Sequence, residues 1–299
     1  MSNFILSCCS TADLKKEHLE SRSISFVCFH YELDGVTHTD DLWQTMSSES
    51  FYGAMAAGAM TKTSQVNAAE YEEYFEGFLQ QGKDILHIAL SSGISGSYNS
   101  ANIAQASLQE KYPDRKIYIV DSLCASSGYG LLMDKLADLR DEGMNIDELH
   151  TWAEENKLKL HHIVLTTDLT YLVRGGRVSK AAGLIGGMLN ICPMIIVDAN
   201  GKLTVRQKIR TKRKGLQTVV DQMELFAQNG LDYNDKCYIC NSACPDDAAA
   251  LASMIEKRFT KLNGKVLIND IGPTIGSHTG PGTSAIFFWG TEREISVES

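Results

Sequence analysis

Short apolar segments alternate with amphipathic helical segments along the first 160 residues. Asp84–Leu90 is a largely apolar run of the kind buried in parallel sheets, and similar strands are predicted at Asn3–Cys8, Lys116–Val120 and His161–Thr166. Between them, Asn67 and the following residues have the capping and apolar spacing of a helix. Strands that alternate with helices predict right-handed crossovers and a doubly wound parallel sheet, which binds ligands at the carboxyl ends of its strands.

The pattern changes after residue 160. Pro193–Asp198 and Lys202–Lys208 are apolar or alternating segments joined through Asn200-Gly201, which predicts a β-hairpin. Antiparallel pairing of this kind indicates a mixed sheet. The sequence therefore predicts an α/β protein with two domains, an N-terminal one at 1–160 and a C-terminal one at 161–299.

Composition excludes several classes of function. The chain has 299 residues, 43% of them hydrophobic and 22% charged, with a net charge of −9. This acidity argues against binding nucleic acid. No segment approaches the roughly 20 apolar residues of a membrane span, and the first residues lack the basic start of a secretory signal. We therefore expect a cytoplasmic protein.

The sequence predicts neither a metal site nor a cofactor. Eight cysteines are expected to stay reduced in the cytosol. Cys237 and Cys240 lie three apart on a predicted strand, so their side chains face opposite sides of the sheet. The Ser91–Ser97 turn lacks the Gly-Lys-Ser/Thr of a phosphate-binding loop for nucleotides.

Three polar segments are expected to form loops that meet around a small anion. Ser91–Ser97 follows a strand and precedes a helix, whose N-terminus attracts negative charge. Lys62–Gln65 adds further hydroxyl groups, and Ile271–Gly282 contains four glycines, two prolines and a single imidazole, that of His278. Hydroxyl and imidazole donors can hold a carboxylate or a phosphate.

Two other functions remain open on these residues. Ser95 lies at a strand-to-helix turn and His278 could act as its base, as in a serine acyl-hydrolase, although the Gly-x-Ser-x-Gly pattern is incomplete. Alternatively, the hydroxyl groups could hold the phosphate of a phosphosugar.

Seven motifs together resemble the DegV family, which includes the fatty-acid-binding subunits of fatty acid kinase. They occur in the family's order and cover nearly the whole chain: Ser10–Asp13, Thr63–Gln65, Ser91–Ser100, Val120–Ser122, Tyr171–Ser179, Lys208–Lys214 and Ile275–Gly282. The resemblance implies two α/β domains with a long-chain fatty acid between them. It also implies that the protein presents the carboxylate to a separate kinase, which would form an acyl-phosphate for lipid synthesis.

The resemblance also implies roles for individual residues. The carboxylate would meet side chains or backbone of both domains: Thr63, Ser64, Ser95, Gly96, His278 and Thr279. On this reading the protein is a carrier without catalytic residues or cofactor, and transient contact with a membrane is compatible with it. We further expect Arg177 and Arg210 to engage the kinase or the developing acyl-phosphate, and the apolar segment 183–189 to line or gate the path of the tail.

Overall fold

The computed structural model describes residues 3–179 and 191–295. A four-stranded parallel sheet, in the order β2-β1-β6-β7, forms the centre of the first half of the chain. Its strands are β1 (Phe4–Cys9), β2 (Ile24–Val27), β6 (Asp84–Ala89) and β7 (Ile117–Asp121). The parallel sheet predicted from the alternating pattern is therefore confirmed.

Helices join and cover these strands. They are α1 (Lys16–Ser21), α3 (Ala68–Leu79), α4 (Ser97–Lys111), α5 (Ser127–Asp141) and α6 (Ile146–Asn156). The side chains of Asn67 and Glu70 cap α3 reciprocally, as their spacing predicts. Helix α5 belongs to the first half but packs on strands of the second half, and thereby joins the two.

A small three-stranded antiparallel sheet, in the order β4-β3-β5, was not expected from the sequence. Its strands are β3 (His30–Leu33), β4 (Val36–Thr39) and β5 (Thr61–Ser64), and α2 (Ser48–Ala56) covers it. A separate aromatic cluster that includes Tyr31, Phe51 and Tyr52 stabilises this unit. The prediction that Lys62–Gln65 is a loop was therefore wrong, because β5 pairs with β3 along its length.

The second half is built on a six-stranded mixed sheet in the order β10-β9-β8-β13-β11-β12. Its strands are β8 (Leu160–Leu165), β9 (Ile191–Val197), β10 (Leu203–Arg210), β11 (Tyr238–Ser242), β12 (Leu267–Asp270) and β13 (Thr283–Trp289). Strands β9 and β10 form the predicted hairpin, and Gly201 in its turn has a φ of +70° that suits glycine. The predicted domain boundary at residue 160 stays a prediction, although β8 starts there.

Among residues 160–179 and 191–295, four helices accompany this sheet: α7 (Thr170–Arg174), α8 (Lys212–Phe226), α9 (Pro245–Arg258) and α10 (Pro273–Thr279). Helix α10 corrects the expectation that 271–282 is a continuous loop. Pro273 starts the helix, where its missing N–H costs nothing, and Gly280 ends it with a φ of +69°. Helix α10 packs on α7, α2, β3 and β5, so the second half contacts the small sheet of the first half.

Candidate functional site

Thr63 and His278 meet where the small sheet contacts α10. Thr63 lies on β5, and its side-chain oxygen Oγ1 is 2.8 Å from Nε2 of His278, in the last turn of α10. Thus the predicted hydroxyl and imidazole from opposite halves of the chain do come together. Strand pairing of Thr63 with Tyr31 and the rigid ends of α10 fix this geometry.

A polar cavity of about 290 Å³ opens beside this pair. Its polar side chains come from both halves: Thr63, Ser64, Gln65, Ser95, Thr274 and His278. Four of the six predicted ligand-binding residues therefore line a single space. The hydroxyl oxygen of Ser95 accepts the N–H of Ser97 (3.2 Å), so its own hydrogen is available to a ligand.

The other two predicted residues, Gly96 and Thr279, do not line the polar cavity. Gly96 is exposed and starts α4, and a Cβ there would lie 2.7 Å from Oε1 of Gln65. Its small size therefore lets Gln65 approach. The hydroxyl of Thr279 donates to the carbonyl of Ile275 (3.3 Å), and its side chain lines a deeper space.

This deeper space is an apolar chamber of about 60 Å³ between the two halves. It shares four lining residues with the polar cavity: Ile94, Arg177, Ile275 and His278. Much of its remaining wall is aliphatic or aromatic, including Val164, Leu172, Ile195, Val197, Leu203 and Phe287. The two spaces therefore adjoin, with hydroxyl groups around one and hydrocarbon around the other.

Three polar side chains in the chamber wall, those of His162, Thr283 and Ser126, are already paired with other protein atoms. Both ring nitrogens of His162 are used, one accepting the Ala125 N–H (3.1 Å) and the other facing the Leu160 carbonyl (3.2 Å). The Thr283 hydroxyl contacts that of Thr166 (3.0 Å), and the Ser126 hydroxyl donates to Asp13. Because these groups have partners, the chamber favours an apolar occupant.

The environment of His278 keeps its imidazole neutral. Burial and the nearby positive charge of Arg177 lower the pKa of His278 to about 4. Its second ring nitrogen, Nδ1, is buried without a hydrogen-bond partner among the described residues. Gly175 packs against that nitrogen so closely that a Cβ on it would lie 2.1 Å away.

Arg177 lies at the wall of this site, a position that its predicted role in docking did not anticipate. Its Nε–H donates to the carbonyl of Ile94 (3.2 Å), and Nη1 donates to that of Gly175 (2.6 Å). The guanidinium therefore brings a positive charge to both spaces. Arg210, by contrast, is exposed on β10. The motif Tyr171–Ser179 identified Arg177 as a candidate functional residue, but no sequence pattern predicted that Arg177 lies close to His278.

The remaining sequence predictions concern the segment 183–189, metal binding and membrane spans. Segment 183–189 lies outside the described residues. Within the described ranges, no group of three or more His, Cys, Asp or Glu side chains forms a metal cluster. Nor does any helix there combine the length and apolar character required to cross a membrane.

Comparison with known proteins identifies the family. The model for DegV family proteins, described as uncharacterised, matches residues 9–291. A DegV domain-containing protein from Clostridium perfringens is 38% identical over 294 residues, covering 98% of this chain and 100% of the relative. One from Streptococcus pyogenes is 34% identical over 282 residues, covering 94% of this chain and 96% of the relative.

Solved structures share the fold. A fatty-acid-binding DegV family protein from Thermus thermophilus superposes with a TM-score of 0.85 at 23% identity, covering 96% of this chain and 99% of its own. The fatty acid kinase B3 protein from Streptococcus pneumoniae, loaded with linoleic acid, gives 0.83 at 22% identity and covers 97% and 100%. Together with the sequence matches, these findings show that the chain belongs to the DegV family.

Proposed function

We propose that this protein binds a long-chain fatty acid, with the carboxylate in the polar cavity and the tail in the apolar chamber. The observation that carries the proposal is the Thr63–His278 pair, which stands where the two spaces adjoin. Hydroxyl donors and the charge of Arg177 suit a carboxylate, and Ser95 reaches the same space. The neutral imidazole contributes a hydrogen bond without adding a second full charge.

Burial of the tail supplies the larger part of the expected affinity. Each buried methylene contributes about 0.8 kcal/mol. A tail of about fourteen methylenes therefore contributes roughly 11 kcal/mol, before the entropic cost of ordering the ligand and the side chains around it. The chamber volume of about 60 Å³ is small for such a tail. Binding therefore requires the apolar side chains around the chamber to move apart.

Relatives with this fold support the choice of ligand. Besides the Thermus thermophilus protein, a stearic-acid-binding protein from Eubacterium ventriosum superposes with a TM-score of 0.83 at 24% identity. The Streptococcus pneumoniae neighbour, a fatty acid kinase B3 protein, supports a further role. We infer that this chain presents its carboxylate to a separate ATP-dependent kinase for conversion to an acyl-phosphate.

The geometry favours a carrier over a serine acyl-hydrolase. A hydrolase needs a base beside the nucleophile and a third group that orients the base. Here Nε2 of His278 faces Thr63, and Nδ1 has no carboxylate partner within the described ranges. Ser95 contacts a backbone N–H through its hydroxyl oxygen instead.

Mass spectrometry of an extract from the denatured, purified protein tests the proposal directly. We expect a free long-chain fatty acid at close to one per chain, and no labelling of Ser95 by a fluorophosphonate. In a separate assay on the native, lipid-loaded protein, a fatty acid kinase catalytic subunit, ATP and hydroxylamine should yield an acyl hydroxamate. Labelled Ser95 would favour the hydrolase, and competition by a sugar phosphate without any bound lipid would favour the phosphosugar alternative.

A further inference from the structure

Two carboxylates of the first half contact the first residues of α10. The N–H of Gly272 donates to Oδ1 of Asp13 (3.0 Å), and that of Thr274 donates to Oδ2 of Asp40 (3.4 Å). The Ser126 hydroxyl donates to the other oxygen of Asp13. Both carboxylates are buried, since Asp13 is 4% exposed and Asp40 is 0% exposed.

No lysine, arginine or histidine forms a salt bridge with Asp13 or Asp40 within the described part of the chain. The charges that act most on Asp13 are those of Asp40 and Asp270, which have the same sign. Burial, with these like charges, raises the pKa of Asp13 well above its usual value. Burial also raises the pKa of Asp40 to about 6, although the hydrogen bond from the Thr274 N–H offsets part of the rise. Two buried carboxylates without a counter-charge are costly.

A cavity of about 200 Å³ opens onto both carboxylates. A Cβ on Gly272 would lie 2.6 Å from Oδ1 of Asp13 and 3.6 Å from Oδ1 of Asp40, so the two oxygens approach a common point. Oδ1 of Asp40 has no hydrogen-bond partner in the described ranges. Asn269 and Asp270 provide further oxygens in the wall, while Lys15, Lys16 and Glu17 also line the cavity.

We propose that this cavity binds one divalent cation that prefers oxygen ligands, Ca²⁺ or Mg²⁺, through Asp13 and Asp40. Two positive charges balance two carboxylates, and both ions accept carboxylate, amide and water oxygens. The space leaves room for several waters. Asp13 and Asp40 would be the acidic ligands, and waters would complete the coordination.

The ion would join the halves of the molecule at a second place besides the Thr63–His278 contact. It would hold Asp13 and Asp40 at the start of α10, whose last turn carries His278. This inference is independent of the proposed function, because cation binding can be measured on protein from which any lipid has been removed.

Terbium luminescence provides a direct test, because Trp43 lines the same cavity. Tb³⁺ replaces Ca²⁺ at oxygen sites and emits when a nearby tryptophan is excited. We expect sensitised emission from the wild-type protein with one Tb³⁺ per chain, displaced by Ca²⁺ or Mg²⁺. Trp43→Phe should lose most of the emission, whereas Asp40→Asn and Asp13→Asn should lose binding.

Thermal unfolding after dialysis against EDTA gives an independent measurement. Millimolar Ca²⁺ or Mg²⁺ should raise the unfolding midpoint of the wild type by about 3 °C or more, against NaCl at equal ionic strength. Asp40→Asn should not respond, while the control Asp114→Asn, an exposed carboxyl elsewhere, should respond fully. The proposal is overturned if neither the unfolding midpoint nor the emission of the wild type responds to Ca²⁺, Mg²⁺ or Tb³⁺. It is also overturned if Asp40→Asn and wild type respond equally. Either result would favour a proton shared by the two carboxyl groups.

Discussion

The hydroxyl of Thr63 lies 2.8 Å from Nε2 of His278, and this contact joins a strand of the first half to a helix of the second. Both side chains line the polar cavity, and His278 also lines the apolar chamber. A ligand that contacts the pair therefore bridges the two halves. Its affinity should depend on groups that are far apart in the sequence.

Thr63→Val should weaken fatty acid binding by about tenfold or more. Valine keeps the shape of threonine but removes a hydroxyl, and a hydrogen bond to a charged group contributes about 1.5–3 kcal/mol. Displacement of a fluorescent fatty acid would measure the change. Thr61→Val is a matched control on the same strand, since Thr61 does not line the cavity and its hydroxyl faces the Ser277 carbonyl at 3.4 Å. Equal losses in the two variants would contradict the role given to Thr63.

Gly175→Ala should abolish high-affinity lipid binding without unfolding the protein. The added methyl group would overlap Nδ1 of His278, at 2.1 Å, so the imidazole must leave its position beside Thr63. Binding should fall by more than tenfold, with circular dichroism unchanged. Gly53→Ala is a suitable control, because it lies in α2 and a Cβ there meets nothing within 4 Å. A crystal structure of Gly175→Ala with His278 unmoved would refute this account.

Arg210→Glu should separate kinase engagement from lipid binding. Arg210 is exposed and does not line either space, so its reversal should leave lipid occupancy intact while slowing acyl-phosphate formation by the kinase. Arg177→Glu is expected to lower both, because the Arg177 side chain holds the carbonyls of Ile94 and Gly175 at the cavity wall. Lipid content by mass spectrometry and hydroxamate formation give the two readouts. Loss of lipid from Arg210→Glu would contradict a docking role for it.

The regular part of the fold could be predicted from local signals. The apolar run of β6, the Asn67–Glu70 capping box of α3 and the Asn200-Gly201 turn each depend on residues close together in the chain. Strands β3 to β5 gave no such signal. They are short and partly exposed, and their stability comes from pairing with each other and from the aromatic cluster beneath them. Local patterns do not reveal that kind of contact.

The site was predicted through its motifs rather than through its geometry. Thr63, Ser64, Ser95 and His278 line one cavity, while Thr279 lines the chamber and Gly96 lines neither, and their role in ligand binding stays a prediction. The glycine and proline content of 271–282 indicated a loop, yet Pro273 and Gly280 delimit a short helix. The place of Arg177 depends on contacts with Ile94, 83 residues away, so no local pattern could report it.

The pKa of His278 should rise when a fatty acid binds. Burial and the positive charge of Arg177 hold it at about 4, below the 6.5 of an unperturbed histidine. A carboxylate in the polar cavity opposes both effects, because it stabilises the imidazolium form. The titration of His278 by NMR, with and without ligand, would measure the shift. His87, with a pKa of about 3, lines neither space and should not change on ligand binding.

The same lowered pKa gives the sign of a stability effect. Because unfolded His278 binds a proton more readily than the folded form, its contribution to stability is complete above pH 6.5 and is lost as the pH falls through about 4. Asp40 acts in the opposite direction, since its raised pKa favours folding on acidification below about pH 6. His278→Asn should therefore lose less stability than wild type between pH 6.5 and 4, as measured by urea unfolding. A steeper loss in this variant would mean that His278 is already protonated in the folded protein.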